Sequence, residues 1–140
     1  MRYFIITCIF IASLTANDFE KSVKSVIDKS TNIMWQDDKE VTQYLENITF
    51  AKLYCEELVL NGYIDWKLPS IKQLQSILDV TQKAPTINQE FKYSSKNNYW
   101  SNTSFVTDEQ NFWSVDFKTG ITSNAEETNT YNVRCIREMR

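Results

Sequence analysis

Histidine is missing from all 140 residues, and glycine and proline occur only twice each. Without an imidazole the chain has no Ser-His-Asp or Cys-His machinery, and it lacks the commonest transition-metal ligand. Two glycines cannot build a dinucleotide fingerprint or a P-loop, where closely spaced glycines let backbone approach a phosphate. Positive charge is not in surplus either. Fifteen Lys and Arg stand against 18 Asp and Glu, and a pI near 5.0 argues against a general nucleic-acid-binding surface. Neither a cofactor nor a metal nor an enzymatic activity is expected from this composition.

The apolar residues are concentrated first at the N-terminus. Arg2 is the only charge in residues 1–16, and the run from Phe4 to Leu14 is almost wholly apolar, leading into small residues through Ala16. A run this short does not span a bilayer of roughly 30 Å, so the stretch reads as a secretory signal peptide cut after Ala16. Cleavage leaves 124 residues with 14 basic and 18 acidic side chains, of which 34 residues are Asn, Ser or Thr. That predicts a loop-rich exported domain, periplasmic, secreted or on the cell surface. Contact with a membrane is expected only through an uncleaved leader. Cys8 departs with the leader, leaving Cys55 and Cys135 as an even pair in an oxidising compartment, and a structural disulfide between them is expected.

Residues 17–23 read as a short N-terminal segment. Ser22 to Trp35 alternates around Val23, Val26 and Ile27, breaks over Asp28 to Asn32 and resumes at Ile33-Met34-Trp35, which predicts a hairpin. Gln36 to Asn47 has few apolar points and reads as loop or weak helix. Thr49 would cap a helix whose apolar residues fall at 51, 54, 55 and 58, with Gly62 as its stop. Gly62 to Pro69 is extended, and Ser70-Ile71-Lys72-Gln73 has capping-box form before a second amphipathic helix reaching Asp79. A long loop follows from Ala84 to Asn98. Strands are expected at Tyr99-Trp100-Ser101, Phe112 to Phe117, Ile121 to Ser123 beyond a Lys118-Thr119-Gly120 turn, and Tyr131 to Arg137. The fold class is α+β, with two amphipathic helices packed on one twisted antiparallel sheet.

Six segments occur in an order that resembles a known family: Ile33 to Gln36, with Trp35; Tyr54 to Leu58, with Cys55; Gly62 to Leu74, with Trp66-Lys67-Leu68-Pro69; Tyr99-Trp100-Ser101; Val115 to Gly120; and Val133 to Arg137, with Arg134. Together they are similar to the C-terminal domain of the Legionella collagen-like adhesin, over residues 24–137. The resemblance implies an exported bacterial module, met alone or fused to other surface modules, whose namesake adhesin recognises sulfated glycosaminoglycans as a trimer. It also implies a likeness to C-type-lectin-like folds and those of formylglycine-generating enzymes. Two departures stand out. No Gly-x-y repeat is present, so a stalk-driven trimer does not transfer and the oligomeric state stays open. Lys67 stands where the family usually has Arg, keeping the charge without the bidentate fork.

Trp35, Trp66, Trp100 and Trp113 fall in extended segments and are expected in the core. Tyr63, Tyr93, Tyr99 and Tyr131 lie nearer loops, where rings serve carbohydrate or peptide recognition, and are the candidate ligand contacts. Arg134 and Cys135 should face opposite ways on a strand, with Arg137 on the Cys135 side. Arg134 is expected to pair with an acid near Gly62 to Pro69. The adjacent acids Asp37-Asp38, Glu56-Glu57 and Glu126-Glu127 point apart and suit a solvated surface better than a glycosidase pair. Asp108, Glu109, Asp116 and Asn124 could offer oxygens to calcium, yet no Asp-x-Asp-x-Asp-Gly loop exists. The expected function is adhesin-like binding of a glycan or an envelope or surface protein. Net negative charge favours a neutral glycan or protein over a sulfated one. The alternative is an accessory domain docking onto or regulating an envelope enzyme.

Overall fold

The polar break between Ile27 and Ile33 does turn the chain back on itself, and a side chain explains why it turns there. Asp28 is buried, and its carboxylate accepts the Ser30 N–H (2.9 Å), the Ser30 hydroxyl (2.7 Å) and the Thr31 hydroxyl (2.7 Å). Burial raises its pKa, but these bonds outweigh burial and hold the carboxyl below its usual value of 3.8. A carboxylate whose folded pKa is depressed stabilises the fold above its unfolded pKa, and that contribution is lost as pH falls through the folded value. Chemical denaturation at about pH 7 and about pH 3 should therefore show a smaller acid-induced loss in Asp28→Asn than in the parent. An equal loss in both would remove Asp28 from the acid response.

The computed structural model describes residues 18–140; the leader expected at 1–16 lies outside the described residues. In chain order come β1 (Phe19–Ser22), β2 (Ser25–Asp28), β3 (Ile33–Gln36), α1 (Glu40–Gln43), β4 (Leu45–Glu46), α2 (Ile48–Glu57) and α3 (Ile71–Ser76). Then follow β5 (Asn98–Phe105), β6 (Asp108–Asp116), β7 (Ile121–Glu126), β8 (Tyr131–Asn132) and β9 (Ile136–Glu138). The expected single sheet is two: one ordered β1-β2-β3-β9, the other β4-β8-β5-β6-β7. All pairings are antiparallel except β5 with β8, which run parallel. The final strand, expected to run unbroken over 131–137, is cut between them. Its first part pairs with β4 and β5 and its last part with β3, and one straight strand cannot serve both.

Alternation along the strands sorts the core into two clusters. Trp35, Tyr99, Val115 and Ile136 face Leu74 and Ile77 at and just after α3, whereas Met34, Trp100, Phe112 and Cys135 face Ile48, Ala51 and Cys55 of α2. The two longer helices thus cover opposite faces of the strand framework, and β3 is buried on both sides.

Boundaries differ from expectation for local reasons. Asn47, not Thr49, caps α2, its side chain accepting the Phe50 N–H at 3.1 Å, which lets Ile48 enter the core in the first turn. Gly62 does not stop that helix. Asn61 and Gly62, at φ 53° and 78°, form the two-residue turn that pairs Leu60 with Tyr63, and the helix ends earlier, at Glu57. Ser70 and Gln73 form the expected capping box, but α3 stops at Ser76 because Leu78 goes on to pair with Ile87. Val23 lies in the β1–β2 turn rather than in a strand, and β1 adds an edge that no apolar pattern announces.

Candidate functional site

Where the chain passes from β8 to β9, Val133, Arg134 and Cys135 are all buried. Cys135 turns toward α2 and is bonded to Cys55, with 5.5 Å between their Cα atoms. Arg134 turns the other way, to the rings of Phe91 and Tyr99, which lie 4.9 and 5.7 Å from its guanidinium carbon. Its Nη1 donates to the Gln36 carbonyl at 2.6 Å and reaches Asp37 Oδ1 at 3.4 Å, and its Nη2 donates to the Tyr93 carbonyl. The Asp37 carboxylate also accepts the backbone N–H groups of Lys92 (2.8 Å) and Tyr93 (3.0 Å). Arg134 and Asp37 together therefore hold the 92–93 segment by its carbonyl and its amides.

Gln36, fully buried, joins this pair to the disulfide. Its Oε1 accepts the Cys135 N–H at 3.1 Å, and its Nε2 donates at 3.0 Å to both Asp38 Oδ1 and the Tyr54 hydroxyl oxygen. Burial pushes the Tyr54 pKa up to about 12 against the lowering effect of that hydrogen bond, so its hydroxyl stays protonated.

Above the buried pair opens a cleft of about 550 Å3, bounded by the β1–β2 turn, residues 37–40 and residues 92–93. Lys21, Lys24, Lys39 and Lys92, all exposed, contribute to its lining, as do Asp37, Asp38 and Glu40. Arg134 already compensates Asp37 from below, so four lysines face two acids at the solvent side. None of the four makes an ion pair among the described residues. Tyr93 is the cleft's aromatic residue, with Lys92 Nζ 5.2 Å from its ring centre.

The other residues singled out from sequence are placed as follows. Trp35, Trp66 and Trp100 are buried; the indole N–H of Trp66 donates to the Tyr63 carbonyl and that of Trp100 to the Glu46 carbonyl. Trp113 is half-buried, edge-on to Phe105. Leu68 and Pro69 are buried, while Lys67 is exposed: its backbone exchanges two 2.8 Å bonds with Ile136, and its ammonium meets Glu138 at 3.0 Å. Tyr99 is fully buried with its hydroxyl bonded to the Val41 carbonyl, so it presents no face to a ligand. Tyr131 packs on Trp100 at 4.5 Å. The carboxylates of Asp108 and Asp116 are engaged in their own turns, accepting the Gln110 and Lys118 amides, and Glu109 and Asn124 are exposed.

The ion pair expected between Arg134 and the Gly62 to Pro69 segment is instead made by Arg137. It reaches Asp65 at 2.8 and 3.2 Å and lies 3.6 Å above the Tyr63 ring, and its hydrogen bonds hold the Asp65 carboxyl below the usual range. Alternation accounts for the exchange, because Arg134 points to the side on which Asp37 leaves β3. Asp37, expected with Asp38 on a solvated surface, is instead buried beside Gln36, and both side chains are engaged in internal hydrogen bonds. Polar side chains beside Trp35 look solvated until the two strands that bury them are known.

A buried disulfide suits an extracytoplasmic location. Among the described residues no helix is long and apolar enough to cross a membrane. No curated protein matches the sequence. The disulfide-linked crossover, the Trp35 strand and the Trp66 to Pro69 segment docked on β9 all fall inside residues 24–137, the span matched by the model of the Lcl C-terminal domain, and the chain belongs to that family.

Proposed function

We propose that the chain is an exported, non-enzymatic binding module that recognises a glycan or a protein, with the lysine-rimmed cleft as its ligand seat. One observation carries this reading: four lysines from three separate segments, none in an ion pair among the described residues, converge on a cleft whose floor is internally neutralised by Arg134 and Asp37. A binding surface needs charge that is free to engage a partner and a backbone held in place beforehand, and both are present here. The overall negative charge of the chain does not describe this local rim. Export through residues 1–16 and the disulfide are mutually consistent. Helices α2 and α3 against the β5–β6 region support the C-type-lectin-like likeness.

Screening the exported chain on arrays of glycans and of bacterial surface proteins tests the proposal. At least one partner is expected, with affinity reduced about tenfold or more in Lys24→Glu/Lys92→Glu, a loss of about 1.4 kcal/mol. Binding that ignores this double variant would move the seat elsewhere. No partner on either array, together with co-purification of an envelope enzyme, would favour a docking domain instead.

A further inference from the structure

Resting on the cleft as ligand seat, we infer that its ligand is a polypeptide: an extended segment carrying acidic side chains next to branched aliphatic or aromatic ones. The cleft does not end at its lysines. Val23, part of its lining, is 76% exposed, and the Val23 carbonyl accepts a 2.7 Å bond from Asn61 Nδ2, which also donates to the Ser25 hydroxyl at 3.0 Å. Those bonds bring the Leu60–Tyr63 turn to the cleft's edge. On either side of that turn stand Val59, 68% exposed, and Ile64, 74% exposed. Alternation about the Leu60–Tyr63 pair puts Val59 and Ile64 on the side opposite Leu60, which is buried. Val23 thus lies in the lysine-rimmed cleft, and the exposed Val59 and Ile64 flank the turn that Asn61 ties to it.

Aliphatic residues and lysines in sequence complement a peptide better than a sugar. Recognition of a neutral sugar uses open aromatic faces, and the cleft lining offers one ring, that of Tyr93, half-buried with the Lys92 ammonium 5.2 Å from its centre. The guanidinium of Arg137 lies 3.6 Å over Tyr63, Tyr131 is packed on Trp100, and Tyr99 is buried. Val23, Val59 and Ile64 would lose water-exposed apolar surface against an aliphatic or aromatic partner side chain, a gain that a polar sugar ring supplies less well. Lys21, Lys24, Lys39 and Lys92, facing only Asp38 and Glu40 at the solvent side, supply the complement to neighbouring Asp or Glu residues of the partner.

Selection of a phage-displayed library of random linear peptides on the exported chain tests the inference. Enriched sequences are expected to combine Asp or Glu with Leu, Ile, Val or Phe. Their affinity should fall about tenfold or more in Ile64→Asp and, separately, in Lys24→Glu, with both variants retaining the parent's far-ultraviolet circular dichroism. Enriched peptides lacking either residue class, or indifferent to Ile64→Asp, would overturn the inference. A glycan that binds in a Lys24-dependent but Ile64-independent way would overturn it while leaving the cleft as ligand seat. Lys24-dependent binding of a folded surface protein with no linear peptide selected would overturn the inference and keep the seat, whereas failure of peptides, glycans and surface proteins alike would remove the seat itself. Self-association abolished by Ile64→Asp in sedimentation would assign the aliphatic patch to a second copy of the chain and overturn the inference as well.

Discussion

Replacing Arg134 with alanine is expected to destabilise the chain by about 3–5 kcal/mol, the cost of removing one partner from a buried ion pair. The side chains of Arg134 and Asp37 are 1% and 6% exposed, so neither has water to fall back on. Arg134→Ala strands the Asp37 carboxylate among backbone amides and leaves the Gln36 and Tyr93 carbonyls without their donor. Arg134→Lys should recover only a small part, because a single ammonium cannot serve two carbonyls and a carboxylate with the geometry of a planar fork. Denaturant titration measures both variants. A loss below about 1 kcal/mol for Arg134→Ala would place the pair among solvent-screened ones and contradict its structural role.

Removing the disulfide as Cys55→Ala/Cys135→Ala is expected to cost roughly 4 kcal/mol, because an 80-residue closure greatly restricts the unfolded chain in the loop-entropy model. This loss and that of Arg134→Ala should not simply add. Gln36 gives its carbonyl to Arg134 and its side-chain oxygen to the Cys135 amide, so both perturbations disturb one shared residue. A coupling of about 0.5 kcal/mol or more is expected when the variants are combined, the range typical of residues sharing a network. Strict additivity would show that Gln36 does not link the two.

The parts legible in sequence were those written in local pattern. The Ser70–Gln73 capping box, the polar Asp28 to Asn32 turn and the Gly120 turn each declare themselves within four or five residues. The disulfide followed from counting, once Cys8 was set aside with the expected leader. What could not be read depends on residues far apart in the chain. Tyr131 to Arg137 looks like one strand because its side chains are suited to burial throughout; that it changes sheets depends on β3 and β5, which offer it two different edges. Arg134 is expected from sequence to pair with an acid near Gly62 to Pro69, yet its partner Asp37 lies 97 residues away, just past Trp35. The cleft was hidden for the same reason. Its lysines come from β1 and the turn after it, the start of a short helix and a long loop, and no spacing rule gathers them.

Backbone amide shifts from NMR, recorded as the disulfide-bonded chain is titrated with a partner selected on the arrays, test the ligand seat most directly. The largest shifts are expected at residues 21–24, 37–40 and 92–93, with little change along β7 or at the β5–β6 tip around Val106. Shifts confined to that tip or to β7, with the cleft residues unmoved, would contradict the cleft as the recognition site.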